Sequence, residues 1–148
     1  MRIFKLLNAA IIFLLLSCCA LAQQNERKNF EGIQQFWTQF RAAILSNDKE
    51  KVASLTKFPF EVRGPDDGDP LVYYDKKGFL GILDDILNQP VYQMKGTNIK
   101  STTMGEIVKD KTEVSDADLL SDDFARVELF TFVKEKNRWL FNRAYVEE

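Results

Sequence analysis

The side chains able to do chemistry in this chain are carboxylates, tyrosines, lysines and arginines. There is no histidine, and the two cysteines, Cys18 and Cys19, stand side by side near the start. Without histidine, neither a Ser-His-Asp nor a Cys-His system can be assembled. A zinc site of the usual kind loses its donors too. General acid-base work is left to Asp, Glu, Lys and Tyr. Tyr73, Tyr74, Tyr92, Asp84 and Asp85 are the groups able to furnish an acid-base pocket. The plainer alternative puts both aspartates on the exposed side of a helix and the tyrosines at half-buried sheet positions. Arg63, Arg126 and Arg143 fall in predicted strands. A guanidinium there can take a carboxylate or phosphate through two parallel hydrogen bonds. It can equally pair with Glu61 or Glu128, or cover apolar surface with its stem. Trp37 is either core or pocket wall. Trp37, Arg63, Tyr74, Tyr92 and Arg143 are therefore the ligand-binding candidates. No residue receives a catalytic role, and neither a metal nor a cofactor is expected.

Asp66-Asp67-Gly68-Asp69 brings three carboxylates together. Its spacing fails the calcium-loop pattern, which needs ligands at alternating positions and a glutamate at the twelfth. A solvated acidic turn is the simpler reading, with calcium binding as the alternative.

The elements that must position these groups follow from periodicity. Phe30, Ile33, Trp37, Phe40 and Ile44 recur at spacings of three and four, one face of a helix. Gln34, Gln35, Gln39 and Arg41 lie off that stripe. Asp48 can cap a short second helix by accepting from its first free N–H groups, with Val52 and Leu55 on the buried side. Pro59 cannot continue a helix, so Phe60 to Arg63 reads as a strand. Gly64 to Pro70 is a loop by composition, and Leu71 to Tyr74 a second strand. Asp75 caps a third helix, Lys76 to Asn88, which Pro90 ends. Strands are expected near Val91 to Met94 and around Thr103 to Val108, and a loop or helical turn over Ser115 to Asp123. Phe124 to Lys134 and Arg138 to Val146 alternate about the turn Glu135-Lys136-Asn137, which predicts a hairpin. Continuous alternation puts Val127, Leu129 and Val133 on one face and Phe130 and Phe132 on the other. A sheet apolar on both faces must be covered twice, by helices and by something else, such as a partner subunit.

The first 22 residues have the layout of a secretory signal peptide. Arg2 and Lys5 precede an apolar run from Leu6 to Leu16, and Ala20-Leu21-Ala22 offers a cleavage site. Cleavage there removes both cysteines and leaves one domain, 23–148, in the periplasm or outside the cell. Leu15-Leu16-Ser17-Cys18 also resembles a lipobox, in which Cys18 would carry acyl chains and hold the domain on a membrane. An uncleaved anchor is the third possibility. Of the 20 basic residues Arg2 and Lys5 lie in the leader, so 18 face 22 acidic residues in the mature chain, a net charge of −4. Nothing basic is concentrated enough for nucleic acid. A domain of this length buries a substantial core without disulfides.

The order helix, helix, short strand, helix, strands and final hairpin resembles the nuclear-transport-factor-two-like superfamily, which includes SnoaL-type cyclases and ketosteroid isomerases. Phe36 to Arg41, Asn47 to Leu55 and Phe58 to Val62 resemble the opening of exported bacterial members. The resemblance implies an α+β domain with a curved mixed or antiparallel sheet. Three helices from the N-terminal half would pack on its concave face, leaving a pocket between them, and dimers would form across the convex side. It transfers no residue role, because such a scaffold hosts unrelated activities. The expected function is a non-catalytic module that binds a small molecule, a peptide or its own copy. The rivals are a pocket acid-base enzyme using carboxylate and tyrosine, and a structural dimerising module of the envelope.

Overall fold

The computed structural model describes residues 30–66 and 68–146. The leader, with its cleavage site and lipobox, lies outside the described residues. The order is α1 (30–45), α2 (Lys49–Ser54), β1 (Thr56–Arg63), β2 (Val72–Tyr74), α3 (Lys76–Asn88), β3 (Pro90–Lys95), β4 (Asn98–Thr103), α4 (Met104–Asp110), a 3-10 turn (Asp116–Asp118), β5 (Leu119–Ser121), β6 (Phe124–Val127), β7 (Phe130–Glu135) and β8 (Arg138–Tyr145). Six strands form one open, curved, mixed sheet in the order β2-β1-β8-β7-β6-β5, and β3 and β4 form a separate ribbon. The domain is α+β, as expected. Its first and last long strands, β1 and β8, pair in parallel, while the other neighbours run antiparallel.

The helices begin where the sequence offers caps. Asp48 accepts from Lys51 N at 2.9 Å and Asp75 from Gly78 N at 2.7 Å. Each satisfies an N–H that the first helical turn leaves unpaired. The α1 stripe is buried as the spacing requires. Ile33, Trp37 and Phe40 are fully enclosed, joined by Phe36 and Ala43. Phe40 meets Phe130, Phe132 and Phe141 of the sheet, and Phe79 of α3 meets Phe60 and Phe141. These edge-to-face rings are the seam between the helices and the inner sheet face.

Several expectations need correction. Met104–Asp110 is a helix, not a strand. Thr103 and Glu106 form a reciprocal capping box at its start, which overrides the β-branched run before it. The described residues thus form four α-helices rather than three. β1 starts at Thr56 and runs through the cis Phe58–Pro59 bond, at the break in its register with β8. Proline has no N–H for the ladder, and the break spares it one. Residues 124–134 are two strands, not one. The chain reverses at Glu128, whose φ is +51°, so Val127 pairs with Phe130 and both face the helices. The second sheet face is mixed, with Phe124, Val133 and Leu140 forming a half-buried apolar row across β6, β7 and β8. It carries Tyr73, Glu61, Arg143, Thr131 and Arg126, which follow one another across β2, β1, β8, β7 and β6.

Candidate functional site

The five sequence-nominated residues do not converge. Trp37 is wholly buried and donates its indole N–H to Lys111 O at 2.9 Å, tying α1 to the end of α4. Arg63 and Arg143 lie on the outer face of adjacent strands. Arg63 lines a cleft of about 510 Å³ beside the 64–70 loop. Arg143 is held by Glu61 and Tyr145. Tyr74 is half-buried against the core, whereas Tyr92 stands 59% exposed on the separate β3–β4 ribbon. Tyr73 is also largely exposed, which corrects its half-buried assignment. Asp84 lies on the exposed side of α3, paired with Lys49 at 2.6 Å.

Asp69 turns its carboxylate back onto Asp66 N at 2.8 Å, which closes the acidic loop. Asp67 lies outside the described residues. Among the described residues, no group of three or more Asp, Glu, His or Cys side chains is placed to hold a metal ion. None of the described helices is long and apolar enough to cross a membrane.

A roomier concavity lies between α1, α2 and the β7–β8 turn, with a volume of about 700 Å³. That falls in the range of small-molecule sites. The helical period supplies one wall. Gly32, Gln35, Phe36 and Gln39 recur at three and four along α1, so they share a side. α2 contributes Lys51, Ser54 and Leu55. The strand partnership Lys134↔Trp139, next to the turn at Asn137, brings Lys134, Arg138 and Trp139 to the third wall. Phe36, Leu55 and Trp139 are nearly buried and form an apolar floor, while the charged groups form the rim.

The charged lining is Lys51, Lys134 and Arg138, with no carboxylate. The hydroxyl of Ser54 is committed to Lys51 O at 2.7 Å. Trp139 is 5% exposed, and its Nε1–H has no hydrogen-bond partner among the described residues. The indole edge rests against Gly32, where an added Cβ would come within 3.4 Å of Nε1.

Among the described residues two carboxylates depart from their ordinary range, and neither is in the cleft. Glu106 is held low by Thr102 and then by the Thr103 backbone N–H. Burial pushes Asp118 up, but hydrogen bonds from Lys111 and Ser115 outweigh it and leave the group low. Both shifts favour the charged form, the reverse of what a carboxylic acid poised to donate a proton needs.

The 700 Å³ cleft is a feature sequence reasoning missed. Its walls come from four elements, and no spacing within one segment signals that Lys51 and Arg138 line one cleft. A direct clue was present only in Gln35 and Gln39, polar residues flanking the apolar stripe of α1. Comparison with protein-family models, with curated proteins and with solved structures finds no match for this chain.

Proposed function

We propose that this protein is a non-catalytic ligand-binding module whose working site is the cleft between α1, α2 and the β7–β8 turn. The observation that carries this reading is the make-up of the cleft. It is large enough for a small molecule and rich in hydrogen-bond donors, yet it has no carboxylate and no free hydroxyl to act as base or nucleophile. The rival acid-base enzyme has less support. Tyr73 and Tyr92 face solvent, and Asp84 is exposed and ion-paired, so these groups do not share an apolar pocket. The element order and the curved six-stranded sheet support a place in the nuclear-transport-factor-two-like superfamily, whose scaffold suits binding as readily as catalysis. The leader composition supports export.

Mass measurement on protein taken from its native host tests the binding reading. An extra mass present under native conditions and lost on denaturation is the expected result. A bare protein that still turns over a carbonyl or ester substrate would overturn it.

A further inference from the structure

We propose that the α1–α2–hairpin cleft receives the anionic group of a small organic molecule, a carboxylate or a phosphate ester. The inference rests on the reading of this cleft as a binding site and names what it binds.

The first argument is charge. The chain is acidic overall, with 22 acidic against 20 basic residues. The α1–α2–hairpin cleft is nevertheless lined by three cations and no acid. Five cations outside the cleft pair with a carboxylate: Lys49 with Asp84, Lys57 with Glu135, Lys76 with Glu50, Lys111 with Asp118 and Arg143 with Glu61. Lys51 and Arg138 have no ion-pair partner among the described residues. A concave site of one sign concentrates the opposite ion.

The second argument is hydrogen bonding. Gln35, Gln39 and Asn137 offer side-chain amides that make no hydrogen bond within the described residues. The enclosed indole N–H of Trp139 is likewise unpaired. A buried donor without an acceptor costs about 1–3 kcal/mol. An oxygen seated beside Gly32, where no side chain blocks the indole edge, would supply that acceptor after a small opening of the wall. Carboxylates and phosphates bring several acceptors and few or no donors, which complements this lining. Arg138 can grip them with two parallel bonds, and the lysines act as point charges.

The third argument is size. About 700 Å³ is far more than an inorganic ion fills, and Phe36 and Leu55 provide apolar floor for an organic body.

The test uses ¹⁵N-labelled protein titrated with phenyl phosphate, benzoate, benzamide and benzylamine. Trp37 and Trp139 are the two indoles of the chain and give two separate N–H resonances. Phenyl phosphate or benzoate should shift the Trp139 indole and the Arg138 side chain, leave Trp37 unmoved, and weaken with added salt. The tighter of the two identifies the anionic group. Lys51→Gln and Arg138→Gln should each lower that affinity at least fivefold, with an unmoved Trp37 resonance reporting an intact fold. Benzamide binding as tightly as benzoate would overturn the anion proposal and leave the binding reading standing. So would a neutral or cationic molecule recovered with the native protein. Absence of any shift at cleft residues with all four probes, together with a bare native protein, would overturn both.

Discussion

Across the parallel β1–β8 junction, Arg143 donates to Oε2 of Glu61 from both Nε and Nη2, at 2.7 and 2.5 Å. The two residues lie 82 apart in sequence and opposite each other in the register. Arg143 also donates to the Tyr145 hydroxyl at 3.2 Å, and Arg126 lies over the Tyr145 ring at 4.6 Å. Burial alone would lower the Arg143 pKa, but the bonds to Tyr145 and Glu61 and the Glu61 charge raise it above its ordinary value. The guanidinium is therefore fixed as a cation that links the first long strand to the last.

Arg143→Ala should cost about 1–2 kcal/mol, because it strands a half-buried carboxylate and unties Tyr145. Glu61→Gln should cost less, since an amide oxygen still accepts from Arg143. Urea denaturation of both single variants and the double variant checks this. The expected double effect is smaller than the sum of the singles, as for residues in one network.

Phe141 is the centre of the ring cluster, with centroids 4.7–6.2 Å from Phe40, Phe60, Phe79, Phe130 and Phe132. Phe141→Ala leaves a cavity that touches both helices and sheet, and should cost about 3–5 kcal/mol. That is a large share of an ordinary domain's stability. Phe141→Leu keeps most of the volume and should cost clearly less. Thermal unfolding of the two variants distinguishes them.

One substitution made twice in α3 should give opposite signs. A Cβ at Gly81 meets nothing within 4 Å, so Gly81→Ala should stabilise by about 0.5–1 kcal/mol through helix propensity. At Gly78 a Cβ would lie 3.0 Å from Tyr74 Cδ1 and 3.3 Å from Asp75 Oδ1, the cap oxygen. Gly78→Ala should be neutral or destabilising. Denaturation midpoints of the two variants test the contrast.

What was legible in the sequence follows the same physics. Asp48 and Asp75 announced α2 and α3 because capping is local, and the α1 stripe announced a buried face because burial there is one-sided. The start of α4 was equally local, in Thr103 and Glu106, yet the β-branched run Thr102-Thr103 pointed the other way. The reversal at Glu128 carried no sign, because a positive φ usually selects glycine or asparagine. Missing it put Val127 on the face opposite Phe130, whereas the two pair and are buried together. The cleft was not legible at all, since the helix–hairpin approach that puts Lys51 and Arg138 on the walls of one cleft is a property of the finished packing.

Asp118 couples stability to pH. It accepts from Lys111 Nζ at 2.8 Å and from Ser115 N and Oγ at 2.6 Å each. Its folded pKa lies below the ordinary 3.8. The unfolded state thus takes up a proton first as pH falls, and the stabilisation is complete above the ordinary value. It is lost as pH falls through the lower, folded value. Wild-type protein should have a higher denaturation midpoint than Asp118→Asn at pH 7, and the gap should close as the solution is taken below pH 3.8. A gap independent of pH would show that the charge is not what Lys111 and Ser115 recognise.

The last prediction separates binding residues from structural ones. Lys51 and Arg138 make no ion pair among the described residues, and both side chains are exposed. Removing either charge breaks no ion pair or side-chain hydrogen bond among the described residues and lowers the positive charge of a cleft that Lys134 also lines. Lys51→Gln and Arg138→Gln should therefore leave stability within about 0.5 kcal/mol of wild type or raise it slightly. Arg143→Ala, which removes an arginine on the opposite face, should lower it. A protein that keeps unpaired like charges together, where neutral residues would fold as well, holds them for something other than folding. If instead Arg138→Gln unfolds several degrees early while Arg143→Ala does not, the hairpin arginine is structural and the cleft loses its strongest anion contact.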